Sequence, residues 1–226
     1  MDRMQWRQER RLWNVVQTDI MYAPQYDQRW GSYINASHRD MLERFLDLCP
    51  QGGYLLDAAC GTGKYWPMLL GRGFSVYGTD HSRQMLLSAQ AKFPEIAVKH
   101  VGLQDLSFVD TFDGILCIDA MEMVFPEEWP VILQHFASAL HKHGFLYLTV
   151  AMISKKALDI AYQAGQRLGL PLIYGEFAHH GGYNYYPRDE QVRLWLAETQ
   201  FTLLSVTVGD AYQHYLARKE IDERYI

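Results

Sequence analysis

From residue 54 to residue 150 the chain alternates short apolar runs with helical stretches, and that rhythm admits few folds. Tyr54–Leu56, Phe74–Gly78, Ile96–Val101, Phe112–Ile118 and Phe145–Val150 read as five strands. A helix is expected after Gly63, ending near Gly71 and Gly73. Ser82 is placed to cap the next one. Pro126, Glu127, Glu128 and Pro130 put proline and acids in the first turn of a third, and Lys142-His143-Gly144 predict its end. Strands separated by helices predict an α/β fold, a parallel sheet covered on both faces.

The flanks differ. Residues 1–36 hold Trp6, Trp13, Tyr22, Tyr26, Trp30 and Tyr33 and no clear strand. A helix is predicted from Ser37, with a capping-box-like Asp40 and an apolar stripe of Met41, Leu42, Phe45 and Leu46. Beyond the fifth strand a helix is predicted over 154–168, followed by a Gly-, Tyr- and His-rich loop, LIYGEFAHHGGYNYYP. Asp189–Thr199 reads as helix, and Phe201–Val208 and Tyr212–Arg218 as a hairpin turning at Gly209-Asp210.

Composition narrows the function. A net charge of −5 without a basic stripe disfavours nucleic acid as partner. Cys49, Cys60 and Cys117 are odd in number and lack C-x-x-C spacing, which fits a reducing cytoplasm better than a disulfide framework or a zinc site. The charged N-terminus is no signal peptide, and no apolar run is long enough to span a bilayer.

The first strand runs into a glycine loop, YLLDAACGTGKYW over residues 54–66. Gly63-Lys64 matches the end of a phosphate-binding P-loop, but position 58 is alanine and position 65 is tyrosine, so the magnesium-binding hydroxyl is missing. Gly61-Thr62-Gly63 starts a dinucleotide fingerprint, but Trp66 stands where the third glycine belongs. LLDAACGTG resembles instead the first motif of the class I, Rossmann-like methyltransferases, D-x-G-C-G-x-G, with Ala59 in place of the first glycine. The continuation keeps register. Asp80 ends the second strand and Asp80-His81-Ser82-Arg83-Gln84-Met85-Leu86 is similar to the family's D-x-S-x-x-M-L. Gln104-Asp105-Leu106 follows the third strand, Ile118-Asp119 ends the fourth, and Leu140–Leu146 resembles the lead into the fifth, with His143 at a glycine position.

The resemblance implies a seven-stranded, mostly parallel sheet with helices on both faces and a C-terminal antiparallel hairpin. It implies S-adenosylmethionine as cofactor and S-adenosylhomocysteine as product. Asp57 would meet the cofactor's ammonium, Ala59, Cys60, Gly61 and Gly63 would let the backbone approach, and Asp80 would hold the ribose, with His81 beside it. Met85, Gln104, Asp105 and Leu106 would surround the adenine, and Ile118 and Asp119 would pass under the sulfonium. Tyr26-Asp27 resembles a Tyr-Asp pair in small-molecule members, where the tyrosine covers the carboxylate end. One domain is expected: an N-terminal lid over 1–36, a cofactor-binding core over 37–150, a substrate-lid insertion over 151–188, and a closing helix and hairpin over 189–226.

The acceptor is less constrained. No [N/D]-P-P-[Y/F] follows the fourth strand, so a small molecule methylated on oxygen, nitrogen or carbon is expected, bound by a monomer or homodimer. Tyr22, Trp30, Met121, Tyr183, Tyr185, Tyr186 and His214 are candidates to line its pocket; loop or sheet packing is the alternative for each. If a general base is needed, His180, His179 and Glu122 are the candidates by position. The two histidines lack the partners of a metal site. A non-methylating reaction on the same fold, or binding without turnover, stays open.

Overall fold

The computed structural model describes residues 2–31, 33–179 and 182–220. The N-terminal segment is helical: α1 (Arg3–Gln17), one π-helical stretch over Thr18–Tyr22, and α2 (Ala23–Trp30). Next comes α3 (Ala36–Leu48), with Asn35 at its N-cap position but no side-chain capping bond from it. The expected Ser37–Asp40 capping box does not form there. Ser37 instead gives its backbone N–H and hydroxyl to Asp210 (2.9 and 2.6 Å), tying α3 to the C-terminal hairpin.

The alternating core then runs β1 (Tyr54–Ala58), α4 (Trp66–Gly71), β2 (Ser75–Asp80), α5 (Arg83–Lys92), β3 (Ala97–His100), β4 (Phe112–Cys117), α6 (Trp129–Ala139) and β5 (Leu140–Ala151). Ser82 caps α5 by accepting from the Met85 N–H at 3.1 Å. Helix α6 stops three residues earlier than Lys142-His143-Gly144 predicted. Those residues already belong to β5, which pairs with β4 through a register shift between Phe112 and Gly114. His143 takes a φ of +63° there, the left-handed conformation that favours glycine at such a site.

After α7 (Lys155–Arg167), the expected tyrosine- and histidine-rich loop is a small hairpin, β6 (Glu176–His179) and β7 (Gly182–Tyr185). Its strands are four residues each, too short for alternation to stand out in the sequence. The chain closes with α8 (Asp189–Glu198), β8 (Phe201–Gly209) and β9 (Tyr212–Lys219). The tight turn falls one residue later than predicted, with positive φ at Asp210 and Ala211.

The seven strands are ordered β3-β2-β1-β4-β5-β9-β8, and β9 pairs antiparallel with both its neighbours. Alternation along each strand feeds two cores. Leu56, Ile115, Leu146 and Leu148 face α6, where Ile132, Leu133 and Phe136 are buried. Leu55, Leu116, Tyr147 and Leu216 face the opposite way, onto Met41, Leu42 and Phe45 of α3. Each buried side chain of this size contributes about 1.5–3 kcal/mol. The order reverses between β1 and β4, and a crevice opens beyond their C-terminal ends. Among the described residues no helix is long and apolar enough to cross a membrane.

Candidate active site

The loop after β1 coils because three residues in five take positive φ: Ala59, Gly61 and Gly63. It is pinned to β2 by the Cys60 N–H donating to the Thr79 carbonyl at 2.8 Å. Beneath it lies Trp66, wholly buried. The indole N–H donates to Asp57 Oδ2 at 2.8 Å. A Cβ on Gly63 would come within 2.6 Å of the same ring, so the loop and the indole fit only because residue 63 is glycine. A Cβ on Gly61 would meet nothing within 4 Å, because that face of the loop borders an open cleft. Burial pushes the Asp57 carboxyl up to about 7; the indole opposes the rise and the nearby Asp80 adds to it.

Asp80, at the end of β2, accepts from the Gly61 N–H (2.8 Å) and the Ser82 N–H (2.7 Å). Burial raises this carboxyl too, against His81 and those two amides. One cavity lies over Ala59, Asp80, His81, Gln104 and Asp105, with Arg11 of α1 on its outer wall. A second lies over Tyr26, Asp57, Cys60, Gly61, Met85, Ile118 and Asp119. They share Ala59, Asp80, His81, Ala120 and Met123 and so adjoin along one cleft. The structure thus brings together the residues named from the sequence for the cofactor, except two. Gly63 is turned to Trp66, and Leu106 is packed in the core.

The N-terminal segment covers this cleft through polar ties. Asp27 accepts from the Thr62 hydroxyl (2.5 Å) and from Lys92 Nζ (2.9 Å), which places Tyr26 against the glycine loop. Asp19 accepts from the Ser82 hydroxyl at the start of α5. Trp6 anchors α1 edge-on against Phe125 and Tyr183 (5.7 and 5.9 Å). Arg3 pairs with Glu127 (2.6 Å) and Glu176 (2.7 Å), and Arg7 and Arg11 pair with Glu128.

A third cavity adjoins the cleft at Tyr26, Met85, Asp119 and Met123. Tyr22, Trp30, Glu122 and Tyr183 also line it. Of the other proposed acceptor contacts, Met121, Tyr185 and His214 are buried in packing and line none of the three cavities, and Tyr186 borders a separate one beside Tyr174. Tyr185 packs against Trp129 and Trp195. His179 lies on β6, and His180 lies outside the described residues.

Two carboxyls, Asp119 and Glu122, line the third cavity, and Asp119 also lines the cleft. Asp119, at φ +55°, donates its N–H to the Thr149 hydroxyl (2.9 Å), and its Oδ1 meets His38 Nε2 at 3.1 Å. Tyr212 hydrogen-bonds the same carboxylate. Behind them His214 bonds the Tyr147 hydroxyl (3.0 Å), and burial pushes this imidazole down. Glu122 is 8% exposed, and its Oε2 has no hydrogen-bond partner among the described residues. Burial, then the Asp119 charge, pushes it up to about 8. His38 was not foreseen. Its signal was its spacing: it falls on the buried stripe of α3, one turn before Met41 and Leu42.

A mostly parallel sheet with one reversed strand near its edge, carrying acids at the ends of its first two strands around a glycine loop, is the architecture of class I methyltransferases. Residues 55–144 match the family described as "Methyltransferase domain". Over that stretch the chain is similar to the class I, Rossmann-like methyltransferases. It is 33% identical over 111 residues to a putative methyltransferase, YqeM, of Bacillus subtilis, a match covering 47% of this chain and 40% of that protein. The chain thus spans about two-fifths of that relative's length. Its fold is shared by 1,6-didemethyltoxoflavin-N1-methyltransferase of Burkholderia thailandensis, with a TM-score of 0.68, 17% identity, and coverage of 92% of this chain and 88% of that one. It is shared too by magnesium protoporphyrin IX methyltransferase of Synechocystis, solved with bound S-adenosylhomocysteine, with a TM-score of 0.65, 19% identity, and coverage of 91% and 97%.

Proposed function

We propose that this protein transfers a methyl group from S-adenosylmethionine to a small molecule bound in the third cavity. The observation that carries this reading is that the cleft shares Tyr26, Met85, Asp119 and Met123 with a cavity lined by aromatic rings and acids. Two features of the cleft fit the cofactor. The open face of Gly61 leaves room for a ligand against the backbone, and His81 Nε2 is buried beside the cleft without a partner among the described residues. Asp57 would hold the ammonium, Asp80 the ribose hydroxyls, and Gln104 and Asp105 the adenine edge. Bound there, the cofactor supplies a methyl group activated by a sulfonium. The chain's own contribution is position and exclusion of water. Tyr26 closes the methionine end, and Arg11 with α1 closes the other. Glu122, next to Asp119, is the acid placed to accept a proton from an acceptor; His179 and His180 remain candidates by position alone. The buried, free Cys49, Cys60 and Cys117 support a reducing, cytoplasmic setting. We read the segments over 1–36 and 151–188 as the covers of this site.

Calorimetric titration with S-adenosylmethionine and S-adenosylhomocysteine tests the reading, with Asp80→Asn alongside. The Gly61 and Ser82 amides reach different oxygens of Asp80, so the asparagine keeps an acceptor for one of them while removing the charge, and cooperative unfolding of the variant is checked alongside. Micromolar binding that weakens at least about tenfold in the variant is expected. Absence of binding by folded wild-type protein refutes the reading.

A further inference from the structure

We propose that the acceptor is an amine, admitted to the third cavity as its ammonium ion and held between Asp119 and Glu122 against the rings of Tyr22, Tyr26 and Trp30. The inference rests on the methyltransferase reading and narrows its substrate to one chemical class.

Charge is the first argument. The described residues lining this cavity include two carboxyl groups and no lysine, arginine or histidine. A carboxylate, phosphate or phenolate acceptor would enter against two acids with no counter-charge. A cation meets both acids and lies among the rings of Tyr22, Tyr26 and Trp30. Asn14, Gln17 and Asn184 complete the wall with amides suited to uncharged polar groups.

The second argument is an unsatisfied atom. Glu122 is more than nine-tenths buried, lines the cavity, and leaves Oε2 without a hydrogen bond among the described residues. An orphaned buried acceptor is rare in folded proteins and destabilising. An ammonium carries up to three N–H donors, enough for Glu122 and Asp119 at once. It also reverses the electrostatics that hold Glu122 up: a cation between the acids stabilises both as anions.

The third is orientation. Asp119 borders both this cavity and the cofactor cleft, so a nitrogen held on its carboxylate stands at the boundary the methyl group must cross. His38 and Tyr212 fix that carboxylate from behind and act as positioning residues. The chemistry balances. The ammonium gives one proton to an ionised carboxylate of the pair, which frees its lone pair. That lone pair forms the new N–C bond as the C–S bond of the sulfonium breaks and its electrons stay on sulfur. The nitrogen ends as a methylated ammonium, and the carboxyl holds the proton.

The test is binding of matched probes to protein saturated with S-adenosylhomocysteine, followed by ligand-observed NMR. Benzylammonium and cyclohexylammonium are compared with benzyl alcohol, cyclohexanol and benzoate. The cations should bind about tenfold or more tightly than the neutral isosteres, and benzoate least. Glu122→Gln, checked for cooperative unfolding, should bring cation and alcohol to parity while S-adenosylhomocysteine affinity persists; Asp119→Asn, which also borders the cofactor cleft, should bring them to parity when measured on protein saturated with S-adenosylhomocysteine at its own affinity. Bound S-adenosylhomocysteine with no cation preference, or no binding of any probe, overturns the amine assignment and leaves the methyltransferase reading intact. Loss of S-adenosylhomocysteine binding itself strikes that underlying reading, and the cation preference is then read on the unliganded protein. Preference that survives in both variants overturns the placement on this acid pair.

Discussion

Replacing Glu122 with glutamine keeps the side chain's volume and removes its charge. In the folded protein this carboxyl is pushed from 4.5 to about 8, first by burial and second by Asp119. The unfolded chain imposes neither. Between those values the native state keeps a proton that the unfolded state has released. The contribution to stability is therefore fully present below pH 4.5 and is lost as pH rises through about 8. At about 1.4 kcal/mol per pH unit, that span is worth on the order of 4–5 kcal/mol. Whole domains have only about 5–15 kcal/mol to lose. Glutamine does not titrate. The variant should become more stable relative to wild type by about 2–3 kcal/mol between pH 5.5 and 7.5. Urea unfolding at those two pH values and at pH 6.5, followed by tryptophan fluorescence, measures this. Asp57 also titrates in the window, but it is present in both proteins and drops out of the difference. A difference between variant and wild type that stays constant with pH would refute the reasoning, as would one that widens in favour of wild type. The confirmed result would mean that burial, with the Asp119 charge, makes Glu122 increasingly destabilising as the pH rises.

Asp57 gives a second titration with a different readout. At pH 6 a carboxyl near 7 is mostly protonated, and a cofactor ammonium beside it favours the anion, so binding should release up to about one proton per site. Calorimetry in buffers of different ionisation enthalpy counts it; Asp57→Asn should abolish the buffer dependence, and its absence in wild type refutes the contact. The glycine loop separates strain from collision. Gly61→Ala should lose only about 1–2 kcal/mol to its left-handed backbone, whereas Gly63→Ala should lose clearly more, because its Cβ would meet the Trp66 ring at 2.6 Å; equal losses by thermal unfolding would contradict this. Arg3→Ala strands the fully buried Glu176 carboxylate, with its remaining bonds from the Tyr183 hydroxyl (2.6 Å) and the Ile173 N–H (2.5 Å). That should destabilise the β6–β7 hairpin by about 3 kcal/mol, seen as faster amide exchange at Phe177 and Asn184 with the β1 and β4 amides unchanged; uniform protection throughout would show that the pair is dispensable.

The two halves of the site differ in how far they were legible in the sequence, and the reason is topological. The cofactor cleft is built from short motifs that each follow a strand: Asp57–Gly63, Asp80–Met85, Gln104-Asp105 and Ile118-Asp119. A parallel sheet places every such motif on one edge, so the order of strands suffices to bring them together. Even there, the sequence shows Trp66 only as an obstacle to a third glycine. That it lies under the loop and bonds Asp57 depends on the packing of α4 against β2, which no spacing rule expresses. The acceptor cavity obeys a different logic. Tyr22, Tyr26 and Trp30 come from one end of the chain, Asp119 and Glu122 from the middle, and Tyr183 and Asn184 from a hairpin whose strands were not recognised. Which tyrosines face the cavity is then a matter of parity. On β7, Tyr183 and Tyr185 share the buried side, yet only Tyr183 reaches the cavity; Tyr185, two residues on, is spent on Trp129 and Trp195. On β9, Tyr212 and His214 both pack edge-on against His38 of α3, which together with Tyr212 bonds Asp119, and neither lines the cavity. A residue's chemistry was readable at each of these positions. Its role was decided by which other helix or hairpin arrived in front of it, and this is why the pair Asp119 and Glu122, three residues apart in sequence and both lining the cavity, carries the substrate proposal while the histidines do not.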